Sequence, residues 1–265
     1  MNHTQSRFAR SRRLVWACLW LWVTGMVRGA DFDANFDLAN RLFAEGKFAE
    51  AATAFDHLLE SGGVSAAVYF NRGNAFFKAG QLGRAVSSYL EGQKLSPRDP
   101  DLKANLQIVR TQVQGGTPRP IDPWTRWIRA LSLGEWCWLT TICVWVFFGW
   151  LALAQKRSEI GRRFRGGMLA EAMLGVFLGI CALSLYVNQY SNPPAVVIAG
   201  EADIRNSPFE EAQSAFKVRD GVELAVLDRK DGWLQVFDPA QRLGWINAKQ
   251  VLISDAPLKV RPKSP

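Results

Sequence analysis

Cysteine and histidine are the side chains through which this chain could do nucleophilic or metal chemistry, and their placement argues against both. Cys18, Cys137, Cys143 and Cys181 all lie inside apolar runs. His57 is the sole histidine after residue 30, with no cysteine nearby. No phosphate loop, zinc-ligand spacing or nucleophile elbow occurs. The sequence therefore names no catalytic residue, no cofactor-binding residue and no metal ligand, and reads as non-catalytic. What remains is recognition chemistry. Asn40 and Asn74 stand among aromatic residues at equivalent positions of a duplicated segment. An amide there can hydrogen-bond the backbone of an extended ligand, or it can bridge neighbouring helices within its own fold.

The elements that carry these residues follow from an internal period of 34. Residues 32–65 and 66–99 align without a gap: Gly46 with Gly80, Ala51 with Ala85, Phe55 with Tyr89, Asn40 with Asn74, and Phe43 with Phe77. Small residues recur where two helices must approach, Gly80 marks a turn, and Pro97 stops a helix. Gly92 breaks the pattern where a better helix former is usual. Beyond Pro100, Leu102, Leu106, Val109 and Val113 fall at helical spacing and predict one closing helix. This period and these residue types resemble the tetratricopeptide repeat. The resemblance implies stacked helix pairs with a concave face lined by Phe36, Asn40, Phe43, Phe70, Asn74 and Phe77, a groove for a short peptide or one partner helix. Some relatives clamp a terminal carboxylate with basic residues, but here those positions hold Phe36 and Asp101.

The net charge of +8 suggests a nucleic-acid binder until its distribution is read. Residues 1–30 carry five arginines and no acid, and residues 155–167 carry five Lys/Arg against one Glu, while the rest of the chain sums to a net charge of −1. Both blocks flank apolar runs, a pattern of membrane topology and not of phosphate binding. Residues 1–30 read as a secretory signal peptide, with an uncleaved anchor as the other reading. After a breaker-rich linker, Asp122-Pro123 opens a short helix whose Trp124, Trp127, Ile128 and Leu131 share one face. That face suits a lipid interface or packing against the repeats, and the linker and helix fill 115–135. Residues 136–154 contain no charge and predict a transmembrane helix, 155–167 a basic cytoplasmic loop, and 168–190 a second transmembrane helix. Glu171 falls near the start of the second span, where the cytoplasmic headgroup level is expected. Gly175 and Gly179 form a GxxxG pair for close helix packing. Both flanking domains, 31–114 and 191–265, then lie outside the cytoplasmic membrane.

From Ala195 the pattern changes to short β runs separated by Asp-Gly and Asp-Pro turns. Residues 195–254, with the pairs Gly232-Trp233 and Gly244-Trp245, resemble the bacterial SH3-like domain. Trp233 and Trp245 are core residues or a ligand platform. The expected fold class is thus a multidomain membrane protein: an all-α repeat domain, a two-helix transmembrane hairpin and a small all-β barrel. That order of signal, repeats, hairpin and barrel resembles BatE-type proteins of the bacterial aerotolerance operon. The resemblance implies an envelope scaffold whose partners are other membrane proteins, von Willebrand A-type proteins and, indirectly, a MoxR-type ATPase. The barrel adds peptidoglycan as the alternative ligand.

Overall fold

Helix-forming periodicity with glycine at the turns gives a stack of antiparallel helices at the start of the chain. The computed structural model describes residues 31–114, 123–156, 165–187 and 194–253. The expected signal segment 1–30, most of the linker and the basic loop, residues 188–193 and the tail after 253 lie outside the described residues. Residues 31–44 are helical and form α1. It is followed by α2 (Phe48–Glu60), α3 (Ala66–Lys78), α4 (Leu82–Leu95) and α5 (Pro100–Gln114). Gly46 and Gly80 link the helices of each pair at φ of 77° and 75°, a conformation open to residues without a Cβ. Ala39, Phe55, Leu58, Val68, Val86, Tyr89, Leu102 and Leu106 form one buried core through the stack.

Gly92, out of place in a helix by propensity, has a packing reason. It is buried beneath α5, and a Cβ there would come within 2.8 Å of Leu102 Cδ2. Gly73 similarly admits the Tyr89 ring, which a Cβ would approach to 2.5 Å.

Two long apolar helices follow the short helix α6 (Pro123–Ile128): α7 (Leu133–Lys156) and α8 (Arg165–Tyr186). Each is long and apolar enough to cross a membrane, and each is largely unburied. Trp138, Ile142, Trp145 and Phe148 on α7 and Met173, Val176, Ile180 and Leu183 on α8 are exposed. Removing such a surface from water is worth about 25 cal/mol per Å², which is the physical case for lipid around it. A capping box starts α7: Ser132 N–H donates to Glu135 Oε2 at 2.8 Å, and Glu135 N–H donates to Ser132 Oγ at 3.3 Å. The contact that α6 makes is neither of the two expected for it alone: it packs against the hairpin. Ile128 is buried with Trp136, Cys181 and Leu185, and the Trp127 ring lies 6.0 Å from Phe177. Trp124 and Trp127 themselves stay exposed.

The C-terminal unit is an antiparallel seven-stranded sheet: β1 (Ala195–Val197), β2 (Glu201–Arg205), β3 (Ser214–Arg219), β4 (Glu223–Lys230), β5 (Trp233–Phe237), β6 (Leu243–Asn247) and β7 (Val251–Ile253). The strand order is β3-β2-β6-β5-β4-β1-β7. Ala202, Ile204, Leu224, Leu234, Val236 and Ile246 fill its core. The fold class is therefore as expected, with one addition the sequence reading lacked: the sheet docks on the helical stack. Val196 belongs to the core of the repeats, while its neighbours Ala195 and Val197 belong to the core of the sheet.

Candidate functional site

The turn of the second repeat and the face of α5 enclose a recess of about 280 Å³. Phe43, Phe77 and Ile108 give it apolar walls; Asn74, Asn105, Tyr89 and Lys78 supply polar groups. Asn74 Oδ1 accepts hydrogen bonds from Asn105 Nδ2 at 2.8 Å and from the Tyr89 hydroxyl at 2.7 Å. Burial pushes the Tyr89 hydroxyl well above its ordinary pKa, with the Asn105 contact opposing. It is therefore a neutral, fixed donor. One repeat earlier, Asn40 Oδ1 accepts from Asn71 Nδ2 at 3.1 Å. The asparagines thus form a ladder along the groove, the carbonyls of Asn40 and Asn74 each engaged by an asparagine two helices further on.

Of the two roles open to Asn40 and Asn74, bridging is therefore occupied through their carbonyl oxygens. Their amide nitrogens make no bond among the described residues and are still available as donors. The six expected groove residues do not form one surface. Phe43, Asn74 and Phe77 meet in the recess just described. Asn40 instead lines a shallower depression with Ala34, Asp37, Arg41 and Ala44. Phe36 and Phe70 are packed inward, with ring centroids 5.9 Å from Phe55 and 6.3 Å from Tyr89. Asn105, Tyr89, Lys78 and Ile108 were not foreseen. A signal for Asn105 was present, because Asn71 and Asn105 are a second asparagine pair at the 34-residue period.

In the sheet, side-chain parity separates the two indoles from the core. Leu234 pairs with Ile246 and Val236 with Gly244 on the inner face. Trp233, Gln235 and Phe237, with Asn247, Trp245 and Leu243 opposite them, therefore occupy the outer face. Neither tryptophan joins the apolar core cluster. Trp233 is buried nonetheless, and Trp245 is half-buried between Gln235 and Arg205. Gly244 is fixed by the core, since a Cβ there would lie 2.3 Å from Ile204 Cγ2.

Between the long helices, Gly175 lies against α7, where an added Cβ would reach Cys143 Sγ at 3.6 Å. At Gly179 a Cβ would meet nothing within 4 Å. Glu171 does not stand apart at a helix end. Its Oε1 lies 3.1 Å from Cys143 Sγ, midway along the charge-free run 136–154.

Residues 36–100 match the family model of the tetratricopeptide repeat, and residues 199–252 match that of the bacterial SH3 domain. The chain carries both domains. A comparison of the whole chain with curated proteins finds no match. Repeat domains of the first kind are protein-interaction modules, and those of the second kind bind proteins or cell wall. Both are typically non-catalytic. Among the described residues no group of three or more His, Cys, Asp or Glu side chains is placed to hold a metal ion.

Proposed function

We propose that this chain is a non-catalytic, membrane-anchored scaffold that gathers other membrane proteins into an envelope complex of the aerotolerance type. The observation that carries the proposal is the recess between Phe43, Phe77 and Ile108, with amide and ammonium donors at its rim, on a chain that also holds two apolar helices. Apolar walls take one side chain of an extended segment, while Asn74 and Lys78 take its backbone carbonyl or an acidic group. Gly179, uncovered on α8, offers a second contact to a partner's membrane helix, with Gly175 filling the seam to α7. The partners of choice are von Willebrand A-type membrane proteins, and through them a MoxR-type ATPase.

The topology in this reading is a signal segment, two spans joined by the basic cytoplasmic loop, and both domains outside the bacterial inner membrane. Docking of the β-sheet on the repeats supports one side for both domains, and the arginine-rich segment between the spans supports the cytoplasm for the loop. Affinity purification of the full chain from gentle detergent extracts tests the scaffold reading. Integral membrane partners should be recovered with the wild type and reduced with Phe77→Ala. Recovery of the chain alone would refute it. The outer sheet face with Trp245, Gln235 and exposed Leu243 favours a second reading, cell-wall binding. The full chain should then pellet with peptidoglycan sacculi in a Trp245-dependent manner, and a chain that stays in the supernatant removes that reading.

A further inference from the structure

The first turn of α4 lacks a cap of its own. Gln81 precedes it and makes no side-chain cap bond, whereas Ser65 caps α3 by accepting Val68 N–H at 3.2 Å. The missing acceptor comes from 137 residues further along the chain. Asp220, in the β3–β4 turn, accepts Gly83 N–H through Oδ1 at 3.0 Å. An acceptor at this point satisfies one of the unpaired donors of a helix start.

Around that bond the two units are in full contact. Arg110 on α5 makes a bidentate pair with Glu223 on β4, at 2.6 and 2.8 Å. Gly221, at φ +87°, leaves no room for a Cβ beside Val113 Cγ2 on α5. All three residues of β1 are buried: Ala195 and Val197 in the sheet, Val196 in the repeats. The repeat sequence itself carries a mark of this contact. Thirty-four positions before Gly83 stands Ala49, which is exposed. At Gly83 a Cβ would fall 1.9 Å from Val197 O, so the repeat gives up its alanine where the sheet is laid against it.

We propose that the β domain is the terminal cap of the repeat stack, with Asp220 supplying the capping acceptor that Gln81 does not and Val196 a core residue of the repeats, so that the two fold as one cooperative unit. The peptide recess is then held by a strand that lies beyond both apolar helices in the chain. A repeat array needs such a closing element because its last helices otherwise leave apolar surface in water.

Hydrogen exchange of the full chain in detergent micelles, resolved by peptide along a denaturant series, tests this independently of any partner. In the wild type, peptides of α4–α5 and of β1–β5 should lose protection at the same denaturant concentration. Asp220→Ala should lower protection in the first turn of α4 by about five- to tenfold, and Asp220→Asn, which keeps an acceptor, should restore it. Gly83→Ala should loosen α4 and β1 together. Separate transitions of repeats and sheet in the wild type would overturn the proposal. So would full protection of the α4 start in Asp220→Ala.

Discussion

Replacing Gly92 by alanine sets two effects of known size against each other. In the interior of α4, alanine is better than glycine by about 1 kcal/mol because it restricts the unfolded chain. The added Cβ, however, would sit 2.8 Å from Leu102 Cδ2 and 3.3 Å from Cδ1, well inside the ~3.5–4.0 Å of a carbon contact. Leu102 is fully buried, so relief must come from displacing other core side chains. Overpacking of this kind costs about 1–3 kcal/mol. The net expectation is a loss of about 1 kcal/mol. In a Leu102→Ala background, itself about 2–5 kcal/mol less stable, the clash disappears and the propensity gain remains. Gly92→Ala should then stabilise by about 1 kcal/mol. The sign therefore reverses between backgrounds, a coupling of about 2 kcal/mol, readable by denaturant unfolding of the four chains in mild detergent. Equal stabilisation by Gly92→Ala in both backgrounds would refute the reasoning, since it would mean that α5 does not press on position 92.

Three further expectations concern the seams between units. A double-mutant cycle on Arg110 and Glu223 should give a coupling of about 1 kcal/mol or more, because the pair is bidentate and mostly shielded from water; a coupling near zero would place the two domains apart. Burial raises the Asp220 carboxyl above its ordinary pKa of 3.8, against the N–H groups of Gly83, Leu82 and Gly221 and the charge of Arg84. The native state then binds this proton more tightly than the unfolded chain. The contribution of Asp220 to stability grows as pH falls through the raised pKa and levels off below the unfolded one. Wild-type Tm should accordingly rise relative to Asp220→Asn between neutrality and about pH 4, with Arg84, Arg110 and Glu223 common to both; a difference flat with pH would contradict it. Finally, among the described cysteines Cys137 is exposed while Cys143 and Cys181 are buried, so a maleimide in mild detergent should modify Cys137 before those two. Equal rates at the three thiols would break the packing of α7 on α8.

Much of this architecture could be read from residue pattern, for physical reasons that differ by element. The repeats were legible because helix crossings admit only small side chains, and glycine and alanine therefore recur at a fixed period. The two long helices were legible because an unbroken charge-free run of this length reads as a long apolar helix. The groove was legible only in part. Phe36 and Phe70 share the helix face of Phe43 and Phe77, but the chain's own Phe55 and Tyr89 claim their rings. Asn105 was overlooked because the closing helix was read for its apolar spacing alone. The contact of Glu171 with Cys143 was not legible because it depends on how far α8 is shifted against α7, and no single span encodes that. The docking seam had a trace in the unbroken apolar run of β1. A strand covered on one face alternates, whereas Ala195, Val196 and Val197 do not.

That seam orders events during synthesis. At ~5–20 residues per second, the ribosome completes α5 on the order of ten seconds before it reaches Asp220. Through that interval the second repeat lacks both the Asp220 acceptor and the valine that β1 adds to its core. A nascent or truncated chain lacks the Asp220 acceptor at the start of α4. Only a chain whose final segment has been made and has reached the repeats closes it.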